Sequence, residues 1–299
     1  MKFRFGVPRA HSSIEPATWG VADNTSKRPR SLPYFTVLLS LLDCGEPSIE
    51  AAFGRHVHWG YWPDPARATT DVAEFAFAAE RLTRAVCDAA AIGDGMSVLD
   101  VGCGFGGTVA SLGERFQSMS LLGLNIDPDQ IARARARVTG RGGNEIGFVL
   151  GDASHLPCSD ACFDAVLAVE AIFHFPDRAQ FFREARRVLK PGGRLALSDF
   201  VPSAWIQPGL WLNVDTRYFG PCDMRHSLGR YRRLAADTGF RPVVERNVNA
   251  HTLPTFAFLK SVRPLLGTYA RTSARDTDLL HAMSRLRLLR YSILSFEKI

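Results

Sequence analysis

The run VLDVGCGFGG, residues 98–107, constrains the fold of this 299-residue chain more than any other stretch. Val98, Leu99 and Val101 surround Asp100 as in a short buried strand, and glycines then occupy 102, 104, 106 and 107 with only Cys103 and Phe105 between them. A strand running into so many glycines predicts a very tight turn, because glycine accepts positive φ and lets backbone amides approach a ligand with no Cβ in the way. Peptide N–H groups and the start of the next helix hold nucleotide-like ligands in this manner.

The sequence around that turn alternates between strand and helix patterns. Strands are expected at 97–101, 120–125, 146–150, 163–169 and 193–199, and helices at about 107–117, 128–139 and 177–189, with Pro128 suited to a first helical turn. Val-, Leu- and Ile-rich strands alternating with helices predict an α/β, Rossmann-like, mostly parallel sheet covered on both faces, with ligands beyond the carboxyl ends of the strands. Further strands at 241–248 and 291–297 bring the total to seven. Helices are expected at about 227–238, 254–266 and 276–289.

Three regions follow from this reading. Residues 1–33 carry Pro, Ser, Arg and Lys without a sustained period and read as a disordered tail; the lack of an acid before Glu15 also admits an organellar presequence. Residues 34–96 read as an N-terminal helical segment and pocket lid, including the apolar stripe Val72, Phe75, Ala76, Ala79, Leu82 and Val86. Residues 97–299 form the core, with an inserted cap at about 200–225, after the fifth strand.

Charge and cysteine content narrow the function classes. The 36 basic and 30 acidic residues give a net charge of +6, but the positive residues are dispersed rather than gathered into a nucleic-acid patch, so no nucleic-acid partner is expected. No apolar run approaches the roughly 18 residues of a membrane span, and six cysteines without framework spacing suit a reducing cytoplasm. Cys158 and Cys162 form a CxxxC with no second ligand pair, and no metal is expected. Nothing in the sequence sets the oligomeric state; a homodimer is admissible.

Gly102, Gly104 and Gly107 alone satisfy GxGxxG, which is weak evidence for a dinucleotide. A dinucleotide site also wants an acid about twenty residues on; here Asn125 stands in that place and Asp127 slightly later, so the ribose holder stays open between them. Three more segments decide the matter: Gly151-Asp152-Ala153, Glu170-Ala171-Ile172-Phe173-His174-Phe175 and Val188-Leu189-Lys190-Pro191-Gly192-Gly193. With LDVGCGFGG they resemble, over roughly residues 56–200, the class I S-adenosylmethionine (SAM)-dependent methyltransferases. The segment HWGYW (58–62), and GLNIDPDQ (123–130) with its Asn125 and Gln130, resemble the small-molecule branch that includes sterol, tocopherol, sugar and natural-product methyltransferases and the cyclopropane synthases.

The resemblance implies SAM as cofactor and a set of roles. Asp100 would fix the glycine loop through backbone amides and meet the amino-acid end of SAM through water. Gly102, Cys103 and Gly104 would lie against the methionine portion and ribose, and Asn125 and Gln130 would contact the cofactor. Asp152 would accept from the adenine amino group, Ala153 would offer an amide to the ring, and Glu170 would sit near the sulfonium. Trp59 and Tyr61 would close the pocket from the N-terminal side.

His174 is the leading general base for a hydroxyl acceptor, with His58 and His226 behind it; it could equally be a structural histidine between Phe173 and Phe175. Phe200, Trp205, Leu210, Trp211, Tyr218 and Phe219 could line a pocket for a small aromatic or isoprenoid-like metabolite, or simply pack the cap. Arg217, Arg225, Arg230, Arg232 and Arg233 hint weakly at an acidic acceptor. The expected reaction is methyl transfer to oxygen or carbon, the alternatives being an NAD(P)-dependent oxidoreductase and a non-catalytic SAM-fold partner subunit.

Overall fold

The computed structural model describes residues 32–203, 206 and 214–299, with the backbone alone at 214 and 215. Residues 1–31 of the expected 1–33 tail and the cap residues Trp205, Leu210 and Trp211 lie outside the described residues, and Pro33 already begins the first helix. Four helices and strands open the chain: α1 (Pro33–Asp43), α2 (Pro47–Phe53), α3 (Val72–Ala89) and β1 (Ser97–Val101). Then follow α4 (Gly107–Arg115), β2 (Ser120–Asn125), α5 (Pro128–Arg137), β3 (Glu145–Leu150), β4 (Phe163–Ala168), α6 (Arg178–Val188) and β5 (Leu189–Pro202). The remainder comprises β6 (Val214–Thr216), β7 (Gly220–Cys222), α7 (Leu228–Asp237), β8 (Phe240–Asn247), α8 (Asn249–Thr252), α9 (Pro254–Val262), α10 (Ala270–Arg285) and β9 (Leu289–Lys298).

Seven strands form one sheet in the order β3-β2-β1-β4-β5-β9-β8, and β6 with β7 makes a separate hairpin. The first five strands of that order run parallel, whereas β9 pairs antiparallel with both β5 and β8. Strand alternation explains the two-sided burial. Val98, Leu121 and Ala165 face the layer of α3, α4 and α5, while Leu99, Leu122 and Val166 face that of α6 and α7. Chain order reverses between β1 and β4, so their carboxyl ends flank the crevice where doubly wound sheets bind ligands.

Local chemistry starts the helices as their sequences lead one to expect. Asp71, Asp127 and Asp177 each cap a helix by accepting backbone N–H groups, and Pro128 fills the first turn of α5. Several expected boundaries shift by a few residues, and two of the shifts have a clear local cause. β5 runs from Leu189 to Pro202 rather than 193–199, because the Lys190-Pro191-Gly192-Gly193 turn is absorbed into the strand at a register shift opposite Phe163 and Ala165. The last helix starts at Ala270, not Asp276, and stops at Arg285, since Arg287 takes a left-handed φ of 57° and turns the chain into β9. Among the described residues no helix is long and apolar enough to cross a membrane.

Candidate active site

Two adjoining cavities open at the carboxyl ends of β1, β2 and β4. The first encloses about 1040 Å³, part of it open to solvent, and is lined by Gly102, Cys103, Gly104, Asn125, Gln130, Asp152, Ala153, Glu170 and His174. Nine of the twelve site residues expected from the sequence thus meet in one cleft. Backbone geometry shapes its floor: Gly102 has φ 80° and Gly104 φ 54°, and the amides of Gly102 and Cys103 both donate to the Leu124 carbonyl, at 2.8 and 3.0 Å. A Cβ on Gly102 would lie 2.5 Å from that of Ala171, while the space above Gly104 is open.

The cleft's polar groups are fixed by one another. Asn125 Nδ2 donates to Gln130 Oε1 at 3.0 Å, Gln130 Nε2 donates to Asp127 Oδ2 at 3.1 Å, and the Asp127 amide donates to Asn125 Oδ1 at 3.1 Å. Asp127 is further committed as the cap of α5, which leaves the two amide side chains as the more adaptable groups on this wall. Asp152 accepts the Ser154 amide on Oδ1 at 2.8 Å.

Asp100 departs from its expected role. Its carboxyl is 2% exposed and accepts no backbone amide of the glycine loop; the hydroxyl beside it is that of Thr108 in α4. Burial raises the carboxyl to about 7, which the Thr108 hydroxyl only partly offsets. Its alternation in β1 explains this: Asp100 points to the face of α3 and α4, beneath the loop rather than into it.

The second cavity encloses about 970 Å³, again with an open part, and its walls are mostly apolar. Trp59, Phe200, Tyr218 and Phe219 line it, as do Leu38, Phe53 and Leu259. Trp59 therefore belongs to this cavity and not to the first; its indole packs against Phe200, Phe256 and Tyr291. Tyr61 lines neither, because its amide is drawn to the Ala78 carbonyl of α3 and its ring stacks on His251. None of the five cap-region arginines lines either cavity; Arg225 pairs with Asp223 and Arg232 with Glu245.

Five residues belong to both cavities: Tyr34, Val57, His58, Glu170 and His174. Glu170 follows β4 with a left-handed φ of 51°. Its Oε2 accepts from the Trp59 amide at 2.6 Å and the Tyr291 hydroxyl at 3.1 Å, and its own amide donates to Ser198 Oγ at 2.9 Å. Burial pushes its carboxyl up to about 8 despite those bonds. His174 Nδ1 lies 3.1 Å from the Pro221 carbonyl, an acceptor that requires Nδ1 to carry the proton. Nε2 then bears the lone pair, and burial lowers the ring to about 4. His58 is different: Nδ1–H donates to the Trp59 carbonyl and Nε2 accepts from Thr83 Oγ1, so neither nitrogen is free to take a proton from a ligand. His226 sits beside Asp223 and reaches neither cavity.

A buried brace holds the His174 segment. The Asp223 amide donates to the Phe173 carbonyl at 2.8 Å, and Arg178 binds both the Asp223 carbonyl and the Asp199 carboxylate, with Tyr231 donating to Asp199 at 2.5 Å. Asp199 is thereby engaged on the far side of β5 from Glu170.

Several of these groups, Tyr34, Val57, Ser198 and Tyr291, carry no sequence signal of a site. Only the pairing of β9 with β5 brings Tyr291 to Glu170.

An open α/β sheet with a glycine turn at its switch point and three carboxyl groups lining the cleft there defines a doubly wound fold of the nucleotide-binding kind. Residues 99–197 match the family model described as a methyltransferase domain. The chain is 42% identical over 154 residues to methyltransferase GfsG of Streptomyces halstedii, covering 51% of this chain and 54% of GfsG. It is 32% identical over 213 residues to 27-O-demethylrifamycin SV methyltransferase of Amycolatopsis mediterranei (strain S699), covering 70% and 75% of the two chains. The structure of the [4+2]-cyclase SpnF superposes with a TM-score of 0.69 at 23% identity, over 91% of this chain and 99% of that one. The chain belongs to the SAM-dependent methyltransferases, and SAM is its cofactor.

The first cavity suits that cofactor. Asp152, with one oxygen uncommitted, and the acids Asp127 and Glu170 line it and favour a ligand that carries positive charge and amino groups.

Proposed function

We propose that this methyltransferase acts on a hydroxyl oxygen of an uncharged, largely apolar small molecule, with His174 as the general base. The observation that carries this reading is the junction: His174 borders both cavities and holds its Nε2 unprotonated by anchoring Nδ1–H on Pro221. In this reading Gly102, Cys103 and Gly104 lie along the methionine and ribose portions of SAM. Asn125 and Gln130 meet the ribose, Asp152 and Ala153 the adenine, and Glu170 faces the sulfonium. Trp59 acts through its amide on Glu170 and through its ring in the acceptor cavity.

Bound SAM supplies a methyl group on sulfur that is already activated for displacement. What remains for the chain is to align the acceptor, exclude water and take one proton. The aromatic walls of the second cavity exclude water, and no Lys or Arg among the described residues lines it, which disfavours an anionic acceptor. As the acceptor oxygen forms its bond to carbon it becomes strongly acidic, so even a histidine lowered to about 4 can accept the proton in the transition state. The relative that acts at an oxygen of a rifamycin supports oxygen over carbon.

Incubation with labelled SAM and a panel of metabolites, followed by mass spectrometry, should find a product heavier by one methylene with the label on oxygen. With that acceptor, His174→Ala should lower kcat by about 10²–10⁴-fold while SAM affinity by calorimetry stays unchanged. Since His174 is protonated only below its lowered value, kcat should be flat above about pH 6 and fall as pH drops toward 4. A variant with undiminished kcat would remove His174 from the mechanism.

A further inference from the structure

The far wall of the second cavity carries two hydroxyls that the protein itself does not use. α10 presents Ser273, Thr277 and Leu280 to the cavity, four and three residues apart and so on one helical face. Ser273 is 5% exposed and Thr277 1% exposed. Neither side chain takes a hydrogen-bond partner among the described residues. At two other helix ends a hydroxyl is satisfied by the preceding turn: Thr238 Oγ1, just after α7, donates to the Leu234 carbonyl at 2.6 Å, and Ser261 Oγ of α9 to the Phe258 carbonyl at 2.7 Å. Ser273 and Thr277 lack even that bond. Around them Leu259, Val262 and Leu266 make the wall apolar.

Neither oxygen is among the sealed, unpartnered side-chain atoms of the described residues, so both hydroxyls open onto the cavity and are available to whatever occupies it. We infer that Ser273 and Thr277 form a distal polar subsite that hydrogen-bonds an oxygen of the acceptor remote from the atom methylated, an inference that rests on the second cavity being the acceptor site. Serine and threonine hydroxyls both donate and accept, and no cation lines the cavity among the described residues. The group recognised is therefore a neutral hydroxyl or carbonyl, not a carboxylate or phosphate. The acceptor class this defines is an apolar scaffold with two separated oxygen functions, one held at His174 and the other at α10. A site built to pair with such an oxygen rejects analogues that lack it, so this pair would set specificity without touching the reacting atoms.

The test uses S-adenosylhomocysteine-saturated protein and two probes, 1-octanol and 1,8-octanediol, titrated by calorimetry into the wild type, Thr277→Val, and the double variant Ser273→Ala/Thr277→Val. The wild type should prefer the diol, and the double variant should lose that preference by about tenfold while binding 1-octanol at least as well. Thr277→Val keeps the side-chain shape and should give a smaller shift in the same direction. Unchanged S-adenosylhomocysteine affinity reports an intact fold in each variant. A diol-to-octanol ratio equal in all three proteins overturns the subsite but leaves the acceptor cavity standing. Failure of both alcohols to bind the wild type overturns the acceptor reading of the cavity and the subsite with it.

Discussion

Glu170 and Asp100 are carboxyl groups that burial holds at about 8 and about 7, and His58 and His174 are imidazoles that burial lowers to about 3 and about 4. The two sets act on stability in opposite directions. Between about pH 4.5 and 6.5 the unfolded chain binds two histidine protons that the fold refuses, while the fold keeps two carboxyl protons that the unfolded chain has released, so the two sets offset each other. Above 6.5 only the carboxyl contribution remains, and stability falls as pH approaches 8. From these four groups the Tm of the ligand-free protein should therefore be level up to about pH 6.5 and fall above it. Each of the two carboxyls adds a slope of at most about 1.4 kcal/mol per pH unit on the alkaline side. Glu170→Gln should flatten that limb in a thermal melt, and an unaltered limb would remove Glu170 from the balance. The glycine turn gives a second residue-scale outcome. Gly104 has open space above it at φ 54°, so Gly104→Phe should abolish SAM binding in calorimetry by both strain and occlusion. At this scale the sequence was legible where spacing encodes contact: Asn125 and Gln130, five apart across a strand end and a first helical turn, do hydrogen-bond. It was silent where contact depends on strand order, as for Tyr291 against Glu170, 121 residues away.

The elements that carry the site were legible because each has its own local signal: an Asp cap before α5 and α6, a near-continuous buried run in β1 and β4, and a helical stripe in α3. The turn into β9 was not, because a left-handed arginine at 287 has no side-chain signature that favours it. Nor was the brace that joins α6, β5, the segment after β7 and α7. Arg178 and Asp199 are 1% and 0% exposed in their side chains, 21 residues apart, and no periodicity announces that they meet. Removing one partner leaves a buried charge alone, so Arg178→Met should cost about 3–5 kcal/mol in urea unfolding. Arg178→Met/Asp199→Leu should recover much of that loss, since an apolar pair removes the unpaired carboxylate. Both variants release the Asp223 carbonyl, which loosens the segment whose Pro221 carbonyl orients His174. The double variant should thus regain stability while kcat stays depressed, and recovery of both together would show that the brace does not position His174.

At the level of the whole molecule, the sheet places two chambers of different chemistry side by side and lets five residues see both. The first chamber is built from loops at strand ends, where glycine spacing and short polar side chains leave a local signal that the sequence motifs carry. The second is assembled from α1, α2, the 56–62 segment, the hairpin region, α9 and α10, elements far apart in sequence whose common property is apolarity. Apolarity alone does not distinguish a cavity wall from a core, which is why the aromatics near 200–225 could be read either way until the fold placed Phe200, Tyr218 and Phe219 around one space. This division predicts separable thermodynamics. Leu259 lines the second chamber from α9 and does not touch the first. Leu259→Trp fills acceptor space without disturbing the glycine turn or the Asn125–Gln130 pair. SAM affinity by calorimetry should remain within about twofold of wild type while KM for the acceptor rises by tenfold or more, since one or two lost methylene contacts are worth about 1–3 kcal/mol in a hydrophobic pocket. Because ordering of the shared residues links the chambers, S-adenosylhomocysteine should in turn tighten acceptor binding by the same factor that the acceptor tightens S-adenosylhomocysteine. Equal loss of both affinities in the tryptophan variant would mean that the two spaces behave as one.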